Sequence, residues 1–203
     1  MRLAVWTVVL ASVCACAPAA VTAQASPDSV RHRNNCRLAE QILSTGHPAP
    51  REEWALGIAW SCPQIAPTLA RSLAAVRASA DTAYLNALTA PFVRIRDGSA
   101  FSAAMNLAQD RSASVPARIA AIRTLMFAVR PGWFVRFAWL MNPSTTHCFL
   151  PPSPHSELFN GVPLPDDYVA QVRYLASRIQ SDPTEPQIVR SAANCAMFSV
   201  RGQ

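Results

Sequence analysis

Four residues between 147 and 157 carry the chain's densest reactive chemistry: His147, Cys148, His155 and Glu157. Imidazoles beside a carboxylate and a thiol could ligate a metal or relay protons. Their spacing matches no standard metal template. They also lie in a proline-rich stretch, 142–165, with Pro143, Pro151, Pro152, Pro154, Pro163 and Pro165. A stiffened surface loop with Cys148 tied in a disulfide accounts for the same residues. Asp166-Asp167 resembles a carboxylate pair, but consecutive helical positions do not face each other, so both read as helix-start residues. There is no G-x-S-x-G elbow, H-E-x-x-H, G-x-G-x-x-G, P-loop or C-x-x-C in the chain. The residues therefore nominate no catalytic group, cofactor-binding group or metal ligand, and the expectation is a protein without enzymatic activity. An enzyme or small-ligand site at 147–157 is the alternative.

The aromatic run Trp133, Phe134, Arg136, Phe137 and Trp139 is the second feature. Arg136 and the short length argue against a membrane span. The run reads as core or as a partner-binding patch, because aromatics and arginine concentrate at interface hot spots.

The segment 1–25 addresses the chain. Arg2 precedes the apolar run from Leu3 to Ala23, which closes on Ala23-Gln24-Ala25. A charged start, an apolar centre and an A-x-A site form a secretory signal. Export to the periplasm or beyond is expected, with no transmembrane segment after cleavage. Val13-Cys14-Ala15-Cys16 offers the alternative of a lipid anchor at Cys16 in a cell-envelope protein. Four cysteines follow the signal: Cys36, Cys62, Cys148 and Cys195. An even number in an exported chain reads as two disulfides. The helices on either side of Pro48 form a hairpin with nearly equal arms, so Cys36 pairs with Cys62. Cys148 then pairs with Cys195 by elimination.

All 18 basic residues are arginine, and the formal charge is +6. The arginines are dispersed, whereas nucleic-acid binders cluster them. No nucleic-acid partner is expected.

Residues 26–33 read as a loose N-terminus and 34–203 as a single helical domain carrying the 142–165 loop. Leu38, Ala39, Ile42 and Leu43 share a helical face; Trp54, Ile58 and Cys62 share the next. Ile65, Leu69, Leu73 and Val76 mark a third helix. Asp81 caps a fourth, which Pro91 should break near Ala90. Phe101, Met105 and Ala108 mark a fifth. Ser114 caps a sixth, with Ile119, Ile122, Leu125, Met126 and Val129 as its stripe. Tyr168, Val172, Leu175 and Ile179 mark a helix starting at Asp166, and Glu185-Pro186 opens the last.

Short helices in antiparallel pairs make the fold class all-α. Pro116-Ala117-Arg118-Ile119-Ala120-Ala121-Ile122-Arg123-Thr124-Leu125 and Pro186-Gln187-Ile188-Val189-Arg190-Ser191-Ala192-Ala193-Asn194-Cys195-Ala196 resemble the second helix of HEAT repeats. The interval from Arg118 to Arg190 is two units of about 36 residues each. The break at Pro91 is similar to that family's bent first helix. The resemblance implies a short α-solenoid, stapled by disulfides, that binds another protein and has no catalytic residues.

Overall fold

Proline and short polar residues decide where the helices begin. A computed structural model describes residues 27–45, 62–93, 97–129, 140–141 and 166–200. They form seven α-helices: α1 Pro27–Thr45, α2 Ala66–Ala75, α3 Thr82–Thr89, α4 Gly98–Gln109, α5 Val115–Val129, α6 Asp166–Ser181 and α7 Gln187–Val200. No strand occurs among the described residues.

The helix at the N-terminal end starts earlier than the sequence reading placed it. Residues 27–33, expected to be loose, form the first turns of α1. Pro27 stands at the helix start, where its missing N–H costs nothing. Cys36, Ala39 and Leu43 are buried along one face of α1, which packs on α2. Tyr84 then donates its hydroxyl proton to the Leu43 carbonyl at 2.6 Å. That bond satisfies one of the carbonyls a helix leaves open at its C-terminus. Burial pushes the Tyr84 phenol above its ordinary pKa.

The remaining helices stop and start as their residues demand. Asp81 caps α3 by accepting from the Tyr84 amide at 3.0 Å. Pro91 lacks a donor and crowds the preceding turn, so α3 ends at Thr89 and tightens into a 3-10 turn, Ala90–Val93. Asp97 caps α4 through the amides of Ser99 at 2.9 Å and Ala100 at 3.2 Å. Ser114 caps α5 through the Ala117 amide at 3.2 Å.

Contacts link these helices in two series. α2 touches α4, and α4 touches α6; α3 touches α5, and α5 touches α7. Within the chain order, α4 pairs with α5 and α6 with α7, and α2 touches α3. α5 occupies the centre. Every residue from Ala117 to Val129 is buried, not only the Ile119–Val129 stripe. A helix flanked by α3, α4, α6 and α7 has no solvent face.

Cys36 and Cys62 form a disulfide with a Cα separation of 5.6 Å, the pairing expected from the sequence; the expected second arm of the hairpin, with Trp54 and Ile58, lies outside the described residues. Cys195 is disulfide-bonded too; Cys148 lies outside the described residues. The Cys36–Cys62 bridge closes a loop with a sequence separation of 26 residues. Replacing both cysteines by alanine should cost about 3 kcal/mol, because the unfolded chain regains loop freedom. Urea unfolding measures it, and a loss under about 1 kcal/mol would show that the bridge is dispensable.

Candidate functional site

The polar residues that the fold brings together lie along the turns between paired helices. After α4, Asp110 Oδ1 accepts from the Ser112 amide at 3.0 Å and from its hydroxyl at 2.6 Å. After α6, Asp182 Oδ1 accepts from the Thr184 amide at 2.9 Å and its hydroxyl at 2.6 Å. The backbone repeats as well: the Ala113 amide donates to the Asp110 carbonyl at 3.0 Å, and the Glu185 amide to the Asp182 carbonyl at 3.2 Å. The amides of Arg118 and Arg190 donate, each at 3.0 Å, to the carbonyls of Ser114 and Pro186. Both turns are the same structure, shifted along the chain by the interval from Arg118 to Arg190.

Arginines join each turn to the next. Arg77, in the turn after α2, pairs with Asp110 and donates to Ser112 Oγ at 2.9 Å. Arg111 pairs with Asp182 and reaches Glu185 at 3.2 Å. The turn at 110–114 therefore lies directly beside the turn at 182–186, and the interval between the two arginines separates neighbours in space. Val76 and Arg77 stand where Asp110 and Arg111 stand in the second turn, and Asp182 and Pro183 in the third. The first turn has the guanidinium without the carboxylate; the last has the carboxylate without the guanidinium.

One rung is buried. Arg118 Nη1 donates to Glu185 Oε2 at 2.6 Å, with both side chains almost wholly covered. Arg118 Nε donates to the Ala108 carbonyl at 3.1 Å, which ties α5 to the end of α4. Arg123 is fully buried and donates Nη1 to the Asn86 carbonyl, Asn86 Oδ1 and Thr89 Oγ1 at 2.6–3.1 Å. Its guanidinium also sits 5.0 Å from the Phe127 ring centre.

The electrostatics keep these acids ionised. The Arg118 hydrogen bond leads in holding Glu185 below the usual carboxylate range. Hydrogen bonds from Ser112 and Thr184 do the same for Asp110 and Asp182, with Arg77 and Arg111 adding to it. An ionised, paired carboxylate is a poor proton donor at neutral pH, and guanidinium is no base. The ladder thus registers helix pairs and offers no acid–base couple. A pH dependence follows. Lowered carboxylate pKa values stabilise the fold above the unfolded range, near pH 4, and that contribution disappears as pH falls through the folded values. Unfolding free energy should hold from pH 7 to about pH 5 and drop below about pH 4, less steeply in Asp182→Asn. Equal stability at pH 6 and pH 3 would contradict this linkage.

A cleft of about 180 Å³ opens beside the first rung, lined by Ala74, Arg77, Ala103, Asn106, Leu107 and Asp110. Elsewhere, His32 Nε2 lies 3.8 Å from Cys36 Sγ, and the ligand atoms of His32, Cys36 and Cys62 lie within 4.8 Å of one another. Both sulfurs are consumed by the disulfide, so this trio offers a metal no thiolate while the bridge stands.

His147, Cys148, His155 and Glu157 lie outside the described residues, as do Trp133, Phe134, Arg136, Phe137 and Trp139. The sequence reading missed the ladder. Its signal was there, in Asp110-Arg111-Ser112 and Asp182-Pro183-Thr184 at the spacing already seen for Arg118 and Arg190. Among the described residues no helix is long and apolar enough to cross a membrane. Comparison with protein-family models, curated proteins and solved structures returns no match.

Proposed function

We propose that this chain is an exported, non-enzymatic helical-repeat scaffold that docks another protein. In this reading α2/α3, α4/α5 and α6/α7 are three stacked pairs of a short HEAT-like solenoid, with α1 packed on the first. The observation that carries the reading is the repeated turn with its arginine rungs along one edge. Val76 and Pro183 give that ladder an end on each side, which suits a stack of three pairs. Stacked pairs expose long continuous surfaces, and binding is what such surfaces do well. The aromatic run Trp133, Phe134, Arg136, Phe137 and Trp139 is a second docking candidate, since large aromatics and arginine anchor interfaces.

Two observations support export: the signal pattern at 1–25 and the disulfide between Cys36 and Cys62. Intact mass of protein from the cell envelope tests this step. A chain starting at Ser26 is expected, and a chain starting at an acylated Cys16 would install the lipid-anchored version. The scaffold step is tested by placing the photo-crosslinker benzoylphenylalanine at Phe134 and Phe137, and on the exposed faces of α2, α4 and α7. Discrete adducts with one protein are expected. Absence of adducts at every position, together with stoichiometric metal or hydrolytic turnover in the purified protein, would favour the site at 147–157 instead.

A further inference from the structure

Arg118 and Arg190 hold the same place in the repeated turn and helix, yet among the described residues only Arg118 has a carboxylate on it. Arg118 points from α5 to Glu185 in the following turn, at 2.6 Å. Ile122 and Leu125 continue that flank of α5 and meet Val172, Leu175, Ala193 and Ala196 of α6 and α7. Shifted by the repeat interval, the flank becomes Arg190, Asn194 and Met197 of α7. These three lie at i, i+4 and i+7 on one side of the helix. All three are half-buried. α7 packs on α5 and α6, and its buried residues are Val189, Ala192, Ala193, Cys195 and Ala196. Arg190 Nε is buried without a hydrogen-bond partner. Asn194 accepts from Gln180 through Oδ1 at 3.0 Å, which leaves its amide protons to donate.

We infer that the Arg190–Asn194–Met197 flank docks a carboxylate-bearing segment of a partner protein, seated on Arg190 as Glu185 is seated on Arg118. The inference rests on the scaffold reading and gives that scaffold an end surface with a stated partner chemistry. Arg190 is half-buried with its Nε unbonded, and a carboxylate seated on it gains charge-assisted hydrogen bonds from the guanidinium. Asn194 adds neutral donors beside it. Met197 supplies an adaptable apolar contact for the residue next to the acid. The formal charge of +6 favours an acidic partner on approach. A single guanidinium beside an amide and a thioether suits one carboxylate in a protein segment better than a polyanionic surface.

The test places benzoylphenylalanine at Asn194, and separately at Met197, in the full chain inside the producing cell, and sequences the crosslinked peptide. The inference expects one protein, with an Asp or Glu within a few residues of the crosslink. Arg190→Glu should cut the yield at Met197 about tenfold, the factor a charge-assisted bond commands. Changing the partner's acid to arginine in that background should restore it. The unfolding midpoint of Arg190→Glu should match the parent; if it does not, Arg190→Gln serves, with the same loss of yield expected. Crosslinks to lipid, crosslinked peptides without an acid, or a yield indifferent to both Arg190 variants would overturn the inference. Silence at 194 and 197 with adducts at Phe134 or Phe137 would overturn it and leave the scaffold reading standing. Silence at every position overturns both.

Discussion

Glu185→Ala is expected to destabilise the chain by about 3–5 kcal/mol, because it strands a buried guanidinium. Arg118 is 3% exposed, and its Nη2 already lacks an acceptor. Glu185 neutralises it at 2.6 Å, and alanine leaves only the Ala108 carbonyl on Nε. The cost arises from an uncompensated charge in a dry site, so removing both members should be milder. Arg118→Met with Glu185→Leu should recover most of the loss, as buried ion pairs replaced by apolar groups often do. Urea unfolding of the two single variants and the double variant gives the coupling directly. A loss under about 1 kcal/mol for Glu185→Ala would mean that water reaches Arg118.

Leu125→Ala is the second large effect, at about 2–5 kcal/mol. Leu125 is 1% exposed and stands in the apolar junction of α5 with α6 and α7, against Val172, Leu175 and Ala196. Helices on each side of α5 hold the vacated space open, so the cavity cannot collapse. Leu38→Ala on α1 is the matched control. Its side chain is 54% exposed, and its loss should stay within about 0.5 kcal/mol. Equal costs at the two positions would show that α5 is not the central helix.

The helices were legible because their signals are local. Asp81, Ser114 and Pro91 act on the backbone within a few residues, and the structure places caps and breaks where those residues stand. The all-α class and the Cys36–Cys62 pair followed from periodicity and arm length. Burial around α5 was not legible from its stripe. Arg118, Arg123 and Thr124 look like a polar face in sequence, and only neighbouring helices reveal that each finds buried partners. The ladder was half legible. The Arg118–Arg190 spacing pointed to a repeat, but Arg77 to Asp110 and Arg111 to Asp182 are contacts between turns. No short window of sequence contains both members of the second pair. The early start of α1 was missed because Arg31, His32 and Arg33 are exposed and leave no apolar period to read.

Native-state hydrogen exchange of the parent and of Glu185→Ala tests most directly whether these helices form a stack of pairs. Stability in such a stack is a sum of units and nearest-neighbour interfaces, so weakening one interface should free the unit beyond it. The account predicts that α5 is the slowest helix in the parent. In the variant, α6 and α7 should lose protection together and by a larger factor than α2 and α4. Equal loss in every helix, or α4 exchanging before α7, would contradict the stack and place the cohesion of this fold elsewhere.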